Sequence, residues 1–311
     1  MKTAIITGGD GFIGTHLTKH LINHGYEVFD VIIKGSTLRN KLEKQNNVHI
    51  IEADLNKYDE ITDILPRNPD VFYHFAWAGV APNQRTVFLH QMQNVELSLN
   101  AVRLAAAVHS GVFIFPGSTM EYVYYGKPIN RDAIPSPSNA YGVAKISARY
   151  ACSILCKQLG IPFIYTVISS IYSEDRNDNN VIYMTIEKLL LGEKPALTRL
   201  EQLWDYVHID DVVYGLQLIA EKGRPNAFYA IGHGDNWPLI NYIQIIRDII
   251  NPELSLGIGE IKYLNNEIPC SCVDLNPIFE DTGFVPKISF DTGIRNVISE
   301  VKKRLLGEQN L

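Results

Sequence analysis

Residues 3–21 read TAIITGGDGFIGTHLTKHL, and this stretch decides the fold. Ala4, Ile5 and Ile6 form the kind of apolar run that marks a buried parallel strand. The run stops at a glycine cluster, and an amphipathic helix over Phe12–Asn23 follows at once. Gly9, Gly11 and Gly14 fit the spacing G-x-G-x-x-G, and Gly8, Gly11 and Gly14 fit the seven-residue variant G-x-x-G-x-x-G. Glycines at these places let the backbone turn tightly and approach a pyrophosphate, and the last one lets helix pack on strand. The helix start then presents unpaired N–H groups and a positive dipole end to phosphate. Strand, loop and helix together point to a bound dinucleotide.

Outward from this unit the first half of the chain alternates strand and helix. Strands are expected near Thr3–Thr7, Glu27–Ile33, Val48–Glu52, Val71–Phe75, Val112–Pro116 and Phe163–Val167. Helices are expected over Tyr58–Leu65, Leu89–Ser110 and Tyr141–Leu159. Such alternation predicts an α/β fold with a doubly wound parallel sheet. After about Ser169 the pattern loosens, with a polar loop over Ser173–Asn180 and helices over Val181–Leu191, Asp210–Glu221, Tyr242–Ile250 and Asp291–Leu306. Asp210 is placed to cap its helix. The expected division is a dinucleotide-binding domain over 1–172, to which 205–231 returns, and a smaller mixed α/β lobe over 173–204 and 232–311 that shapes a substrate site.

The chain has 311 residues and a net charge of -6, a balance that argues against nucleic acid as a partner. No stretch reaches the roughly 18 apolar residues of a membrane span. The N-terminus enters a strand directly, so a cytoplasmic location without a signal segment is expected. Cys152/Cys156 and Cys270/Cys272 match neither the usual zinc nor the redox spacing, so reduced thiols and no metal are expected.

Tyr141 and Lys145 stand four apart on an expected helix, on one face. An ammonium beside a phenol favours the phenolate, so a lowered Tyr141 pKa is expected. Such a phenol can exchange a proton with a substrate oxygen. Ser118 follows the strand ending near Pro116, and its hydroxyl is expected at the same sheet edge as the cofactor.

With these residues in place the chain resembles the extended short-chain dehydrogenase/reductase family over nearly its whole length. The likeness is nearest to enzymes acting on nucleotide sugars: hexose 4-epimerases, 4,6-dehydratases and 4-ketohexose reductases. It is carried by TGGDGFIG, EADL, HFAWAG, QNV, FIFPGSTMEY, YGVAK, DYVHIDDV and FVPKISFDTGI. The resemblance implies that Ser118, Tyr141 and Lys145 are catalytic and that Lys145 also binds the nicotinamide ribose. It assigns Gly8, Gly11, Phe12, Ile13 and Gly14 to the cofactor, with Asp54 and Leu55 at the adenine. Phe75, Ala76 and Asn94 would line the cofactor's far side. Trp77, Thr119, Met120, Ser170, Asn180, Arg199 and Trp204 would surround the substrate, and His208 would be structural. A homodimer through helices 89–110 and 141–159 is implied, with Leu97, Ala101, Leu104, Ala105 and Val108 at helical spacing on the first, part of that face packing on the sheet.

Three departures shape the expectation. The acid that NAD-binding relatives carry at the end of the second strand, about 18 residues past the last glycine, is Ile32 here, with Lys34, Ser36 and Arg39 following. Lys34 and Arg39 suit a ribose 2′-phosphate, so NADP is expected over NAD. Dehydratases place Asp-Glu after the catalytic hydroxyl residue; Thr119 and Met120 stand there instead, and Glu121 comes one step late, which disfavours dehydration. Trp204 precedes Asp205 where many relatives have a diphosphate-binding arginine, leaving Arg199 or Arg176 to serve. The resulting expectation is NADPH-dependent reduction of the C4 keto group of a nucleotide-activated 4-keto-6-deoxyhexose. The alternative is a nucleotide-sugar 4-epimerase that keeps NAD bound. Intact Ser118, Tyr141 and Lys145 speak against a non-catalytic nucleotide sensor.

Overall fold

The computed structural model describes residues 1–42, 46–176, 180–263 and 268–308. Of the polar loop expected over Ser173–Asn180, residues 177–179 lie outside the described residues. In chain order the strands of the first half are β1 (Lys2–Thr7), β2 (Tyr26–Ile32), β3 (Val48–Glu52), β4 (Val71–His74), β5 (Phe113–Ser118) and β6 (Phe163–Ile168). Helices α1 (Phe12–Asn23), α2 (Phe88–Ala107) and α3 (Ala140–Leu159) join them. Then come β7 (Ser170–Tyr172), α4 (Val181–Leu190), β8 (Ala196–Leu197), β9 (Leu203–Trp204), β10 (Tyr206–His208), α5 (Ile209–Lys222) and β11 (Phe228–Ile231). The chain closes with β12 (Trp237–Pro238), α6 (Leu239–Ile250), β13 (Gly257–Ile258), α7 (Asn276–Thr282) and α8 (Phe290–Glu308).

Seven strands form one parallel sheet in the order β11-β6-β5-β4-β1-β2-β3. The order reverses between β1 and β4, the switch point at which doubly wound sheets bind ligands. Alternation along β1 feeds both layers. Ala4 and Ile6 face Leu17 and Leu21 of α1 and Val212 and Leu216 of α5. Ile5 faces Ala101 and Leu104 of α2 and Ala148 and Cys152 of α3. A third core, with Tyr183, Ile186, Tyr242, Ile246, Phe290 and Val297, holds α4, α6 and α8 together.

Four local expectations change. Tyr58–Leu65 is no α-helix: Leu55–Ile61 forms 3-10 turns broken at Lys57, a stretch too short to nucleate a longer helix. His208, not Asp210, caps α5; its Nδ1 accepts the Asp210 N–H at 3.2 Å, and Asp210 lies in the first turn. Helix α7 was not anticipated, and Ile278 and Phe284 pack into the sheet's own core rather than into the lobe. Ala101, Leu104, Ala105 and Val108 are fully buried against the sheet, so that stripe of α2 is core and offers no docking face.

Candidate active site

The glycine loop forms at the β1 tip. Gly8 has φ +73, and a Cβ there would meet Phe75 and Ala76 within 2.9 Å, so only glycine lets the loop lie on the end of β4. A Cβ on Gly14 would reach the Gly8 carbonyl at 2.4 Å. No side chain caps α1 at Gly11, so the first-turn N–H groups around Phe12 and Ile13 lack intrahelical acceptors. Backbone donors, a helix dipole and a cradle that side chains would fill together fit a dinucleotide pyrophosphate.

At the adenosine end the polar groups are already matched. Arg39 is ion-paired with Glu52, whose Oε2 also accepts the Gly35 N–H at 3.2 Å. The Ser36 hydroxyl donates to Asp10. Lys34 is exposed, and Ile32 is buried. Asp54 caps the turn at Leu55, accepting the Asn56 N–H at 2.9 Å, and Leu55 is buried beneath it. Asn94 is spent on the backbone: its Oδ1 accepts the Ala78 N–H at 2.8 Å and its Nδ2 donates to Ala78 and His90 carbonyls. It therefore positions the segment after β4 rather than the cofactor directly.

The chemistry-bearing groups converge at the tips of β4 and β5. Asn139 caps α3 by accepting the Gly142 N–H, and the Tyr141 N–H is taken by the Arg85 carbonyl at 3.0 Å. Tyr141 thus starts α3 near Ser118, whose hydroxyl favours the ionised phenol. One turn on, Lys145 is buried, donates to the Pro116 carbonyl at 3.0 Å and sits 3.8 Å from the Trp77 ring centroid. Trp77 meets Tyr141 edge-on at 5.8 Å and is fixed by its indole N–H donating to Gln91 Oε1 at 2.9 Å. Trp77 therefore supports the lysine instead of simply walling a sugar pocket.

The expected lowering of Tyr141 is overturned. Burial and the charge of Glu121 push its phenol up to about 12, opposed by Arg85 and by the Ser118 hydrogen bond. Lys145 lies 5.8 Å from the phenol ring centroid. The Arg85 guanidinium lies 5.7 Å from the same centroid. Arg85 and Gln91 belong to no segment singled out in the sequence, and Glu121, within FIFPGSTMEY, reads there only as an acid one step late. Ser118 caps a tight turn over Thr119–Glu121: its Oγ accepts the Met120 N–H, and Glu121 reaches back to the Ser118 N–H. Glu121 is turned inward, onto the Ser118 N–H and the Tyr165 hydroxyl, and Met120 carries no acid.

The remaining expected substrate residues lie further out. Thr119 is buried and accepts from the Ser271 hydroxyl at 3.1 Å, and Ser271 pairs with Trp204 in a β-bridge. The Trp204 indole donates to Ser170 Oγ at 2.8 Å. Asn180 caps α4, its Oδ1 accepting from Ile182 and Tyr183. Arg199 is exposed and paired with Glu201, whereas Arg176 lies 4.7 Å from the Phe12 ring centroid beside the glycine loop. The structure thus joins Ser118, Tyr141, Lys145 and Trp77, links Thr119, Ser170 and Trp204 through Ser271, and leaves Arg199 apart. His208 is buried and structural. The four cysteines are buried free thiols, and no helix is long and apolar enough to cross a membrane among the described residues.

A model of the NAD dependent epimerase/dehydratase family matches residues 4–232. A dTDP-glucose 4,6-dehydratase of Haemophilus influenzae is 22% identical, covering 96% of this chain and 97% of its own. A UDP-glucose 4-epimerase of Thermotoga maritima, solved with UDP-glucose, superposes with a TM-score of 0.82 at 23% identity, over 97% of this chain and 99% of that one. A UDP-glucuronic acid 4-epimerase of Bacillus cereus, solved with UDP-glucuronic acid and NAD, gives 0.81 at 18% identity, over 97% and 99%.

Proposed function

Because the chain belongs to the NAD dependent epimerase/dehydratase family, we propose that it is a nucleotide-sugar 4-epimerase that works with bound NAD. The observation that carries this reading is the convergence of Ser118, Tyr141 and Lys145 with no acid at Met120. Oxidation and re-reduction at C4 need a proton acceptor, a hydroxyl donor and a cation, all of which are present. Elimination of water needs an added acid–base pair.

A bound nicotinamide would supply hydride transfer to and from C4. Tyr141 takes the C4 hydroxyl proton as the hydride leaves and restores it as the hydride comes back. Ser118 hydrogen-bonds the same oxygen and stabilises charge developing there. Lys145, held over Trp77, would bind the nicotinamide ribose. Gly8, Gly11 and Gly14 with the α1 N-terminus would hold the pyrophosphate, and Asp54 the adenine. Trp204, Ser170 and Asn180 would flank the nucleotide-sugar. A homodimer is part of this reading.

A second reading, reduction of a nucleotide 4-keto-6-deoxyhexose by NADPH, is favoured by Ile32 and the exposed Lys34. Incubation with UDP-glucose, UDP-glucuronic acid and dTDP-glucose separates the two. The epimerase changes sugar configuration with no net change in nicotinamide absorbance. Stoichiometric NADPH consumption with 4-ketosugars, and no epimerisation, would establish the reductase instead.

A further inference from the structure

The proposed reaction brings two diphosphates to one protein, that of the dinucleotide and that of the nucleotide-sugar. A guanidinium suits either, because its planar fork matches phosphate oxygens in pairs. Arg199 and Arg176 are the two arginines expected near the sugar's diphosphate, and the structure separates them. Arg199 is exposed and lies 3.2 Å from Glu201. Arg176 is carried instead to the start of α1.

The chain that delivers it leaves β7 and is pinned residue by residue. The Ser173 N–H donates to the buried Tyr183 hydroxyl at 3.1 Å, and that hydroxyl donates to the Ser173 carbonyl at 2.7 Å. The Glu174 carboxylate lies 3.2 Å from Nε2 of His208, the residue that caps α5. Asp175 Oδ2 lies 3.6 Å from Nε2 of His16 on α1. Three successive residues are thus anchored to α4, α5 and α1 in turn. Arg176 follows them, and its guanidinium carbon lies 4.7 Å from the Phe12 ring centroid. Its Nη1 donates to the Ile171 carbonyl at 2.9 Å, which sets the orientation of the fork. Phe12 is the first residue of α1, and its ring meets His16 edge-on at 5.3 Å, so the guanidinium has a fixed aromatic seat.

We infer that Arg176 is a binding residue for the dinucleotide pyrophosphate, supplied to the glycine loop by the segment after β7, and that it does not serve the diphosphate of the sugar. This rests on the reading of the glycine loop as the cofactor site. The Phe12 and Ile13 N–H groups that lack intrahelical acceptors stand at the same end of α1 as the guanidinium. A helix start contributes only roughly half a positive charge, and a pyrophosphate bridge carries two negative ones. The loop's own side chains do not make up the difference. Asp10 is an acid that accepts from Ser36, and a Cβ on Gly9 would run into the Asp30 carboxyl. A cation brought from outside the loop completes the site, and Arg176 is placed to be that cation.

Two ligands separate the two diphosphates. ADP-ribose carries the cofactor's pyrophosphate without the nicotinamide, and UDP, titrated with saturating NAD present, meets only the sugar site. By calorimetry, Arg176→Gln is expected to weaken ADP-ribose and NAD about tenfold or more, with UDP affinity and Tm unchanged. Adenosine, which has no phosphate, should bind the variant and the unaltered protein alike. Weakened UDP with unchanged ADP-ribose overturns the inference and gives the arginine to the sugar's diphosphate. Unchanged affinity for both, or an equal loss for both, overturns it as well. Should Arg176→Gln not fold, Arg176→Lys keeps the charge and loses the fork: weaker ADP-ribose with unchanged UDP upholds the inference, and unchanged ADP-ribose overturns it. An unaltered protein that binds no ADP-ribose would sink the cofactor reading itself, whereas binding that ignores Arg176 sinks only the present inference.

Discussion

Ile32 and Glu52 are paired neighbours in the parallel register of β2 with β3. An acid absent from the tip of β2 thus stands one strand over. Glu52 engages both Gly35 and Arg39, and Asp10 engages Ser36. A ribose 2′-phosphate at this end would meet two carboxylates, with Arg39 already matched. We predict that NAD binds at least about tenfold more tightly than NADP, ~1.4 kcal/mol, and that Glu52→Gln narrows the ratio by freeing Arg39. Calorimetric titration with both dinucleotides checks this; tighter NADP binding by the unaltered protein refutes it.

On the proposed mechanism Tyr141→Phe removes the proton-transferring oxygen and leaves the backbone contact of the Tyr141 N–H to the Arg85 carbonyl in place. Turnover is expected to fall about a thousandfold with Tm and NAD affinity unchanged. Ser118→Ala should lower turnover and Tm together, since Ser118 Oγ also caps the turn at Met120, a contact worth about 1 kcal/mol. Equal thermal effects of the two substitutions would contradict this division of roles.

Much of this architecture is legible before any coordinates are seen. The strand–glycine–helix unit and the alternating apolar runs are local patterns, and they lead directly to the seven-stranded sheet. Tyr141 and Lys145 are legible because helical spacing alone puts them on one face. What stays hidden is set by side chains meeting across the sheet edge. Trp77 reads as a pocket wall until Lys145 is found over its ring. Arg39 reads as a phosphate ligand until Glu52, on another strand, is found holding it. The raised phenol of Tyr141 depends on how deeply three elements bury it, and spacing along one helix carries no information about that.

Asp30 is fully buried on β2, holds the Thr18 hydroxyl, and is pushed up to about 7 by burial, with the charge of Asp10 adding to the shift. Unfolded, it titrates near an ordinary carboxylate, about 3.9. Between these values the folded chain keeps a proton that the unfolded chain has released, so Asp30 makes stability fall as pH rises through this window. Asp30→Asn removes that slope while keeping an acceptor for Thr18. Its Tm should approach the unaltered protein's near pH 4 and exceed it by several degrees above pH 7. Glu121, likewise raised by burial, adds a slope of the same sign to both proteins, so the difference between them isolates Asp30. Parallel Tm curves across the range would rule the account out.

The outer surfaces of α2 and α3 leave Phe88, Leu89 and Met92, and Tyr150 and Ile154, exposed on two helices that pack side by side. Leu89 is 71% and Ile154 60% exposed, on the surface away from the buried Ala101–Val108 stripe. Apolar side chains left exposed on adjoining helices are a marker of association. A second copy of the same surface, related by a two-fold axis, would bury them helix against helix. Light scattering at micromolar concentration is expected to give twice the 35.0 kDa chain mass. Leu89→Glu with Ile154→Glu should give the single-chain mass with the NAD affinity retained, because both side chains are largely exposed on the outer helices. A monomeric mass for the unaltered protein, or a dimer that survives both charges, would place the association surface elsewhere.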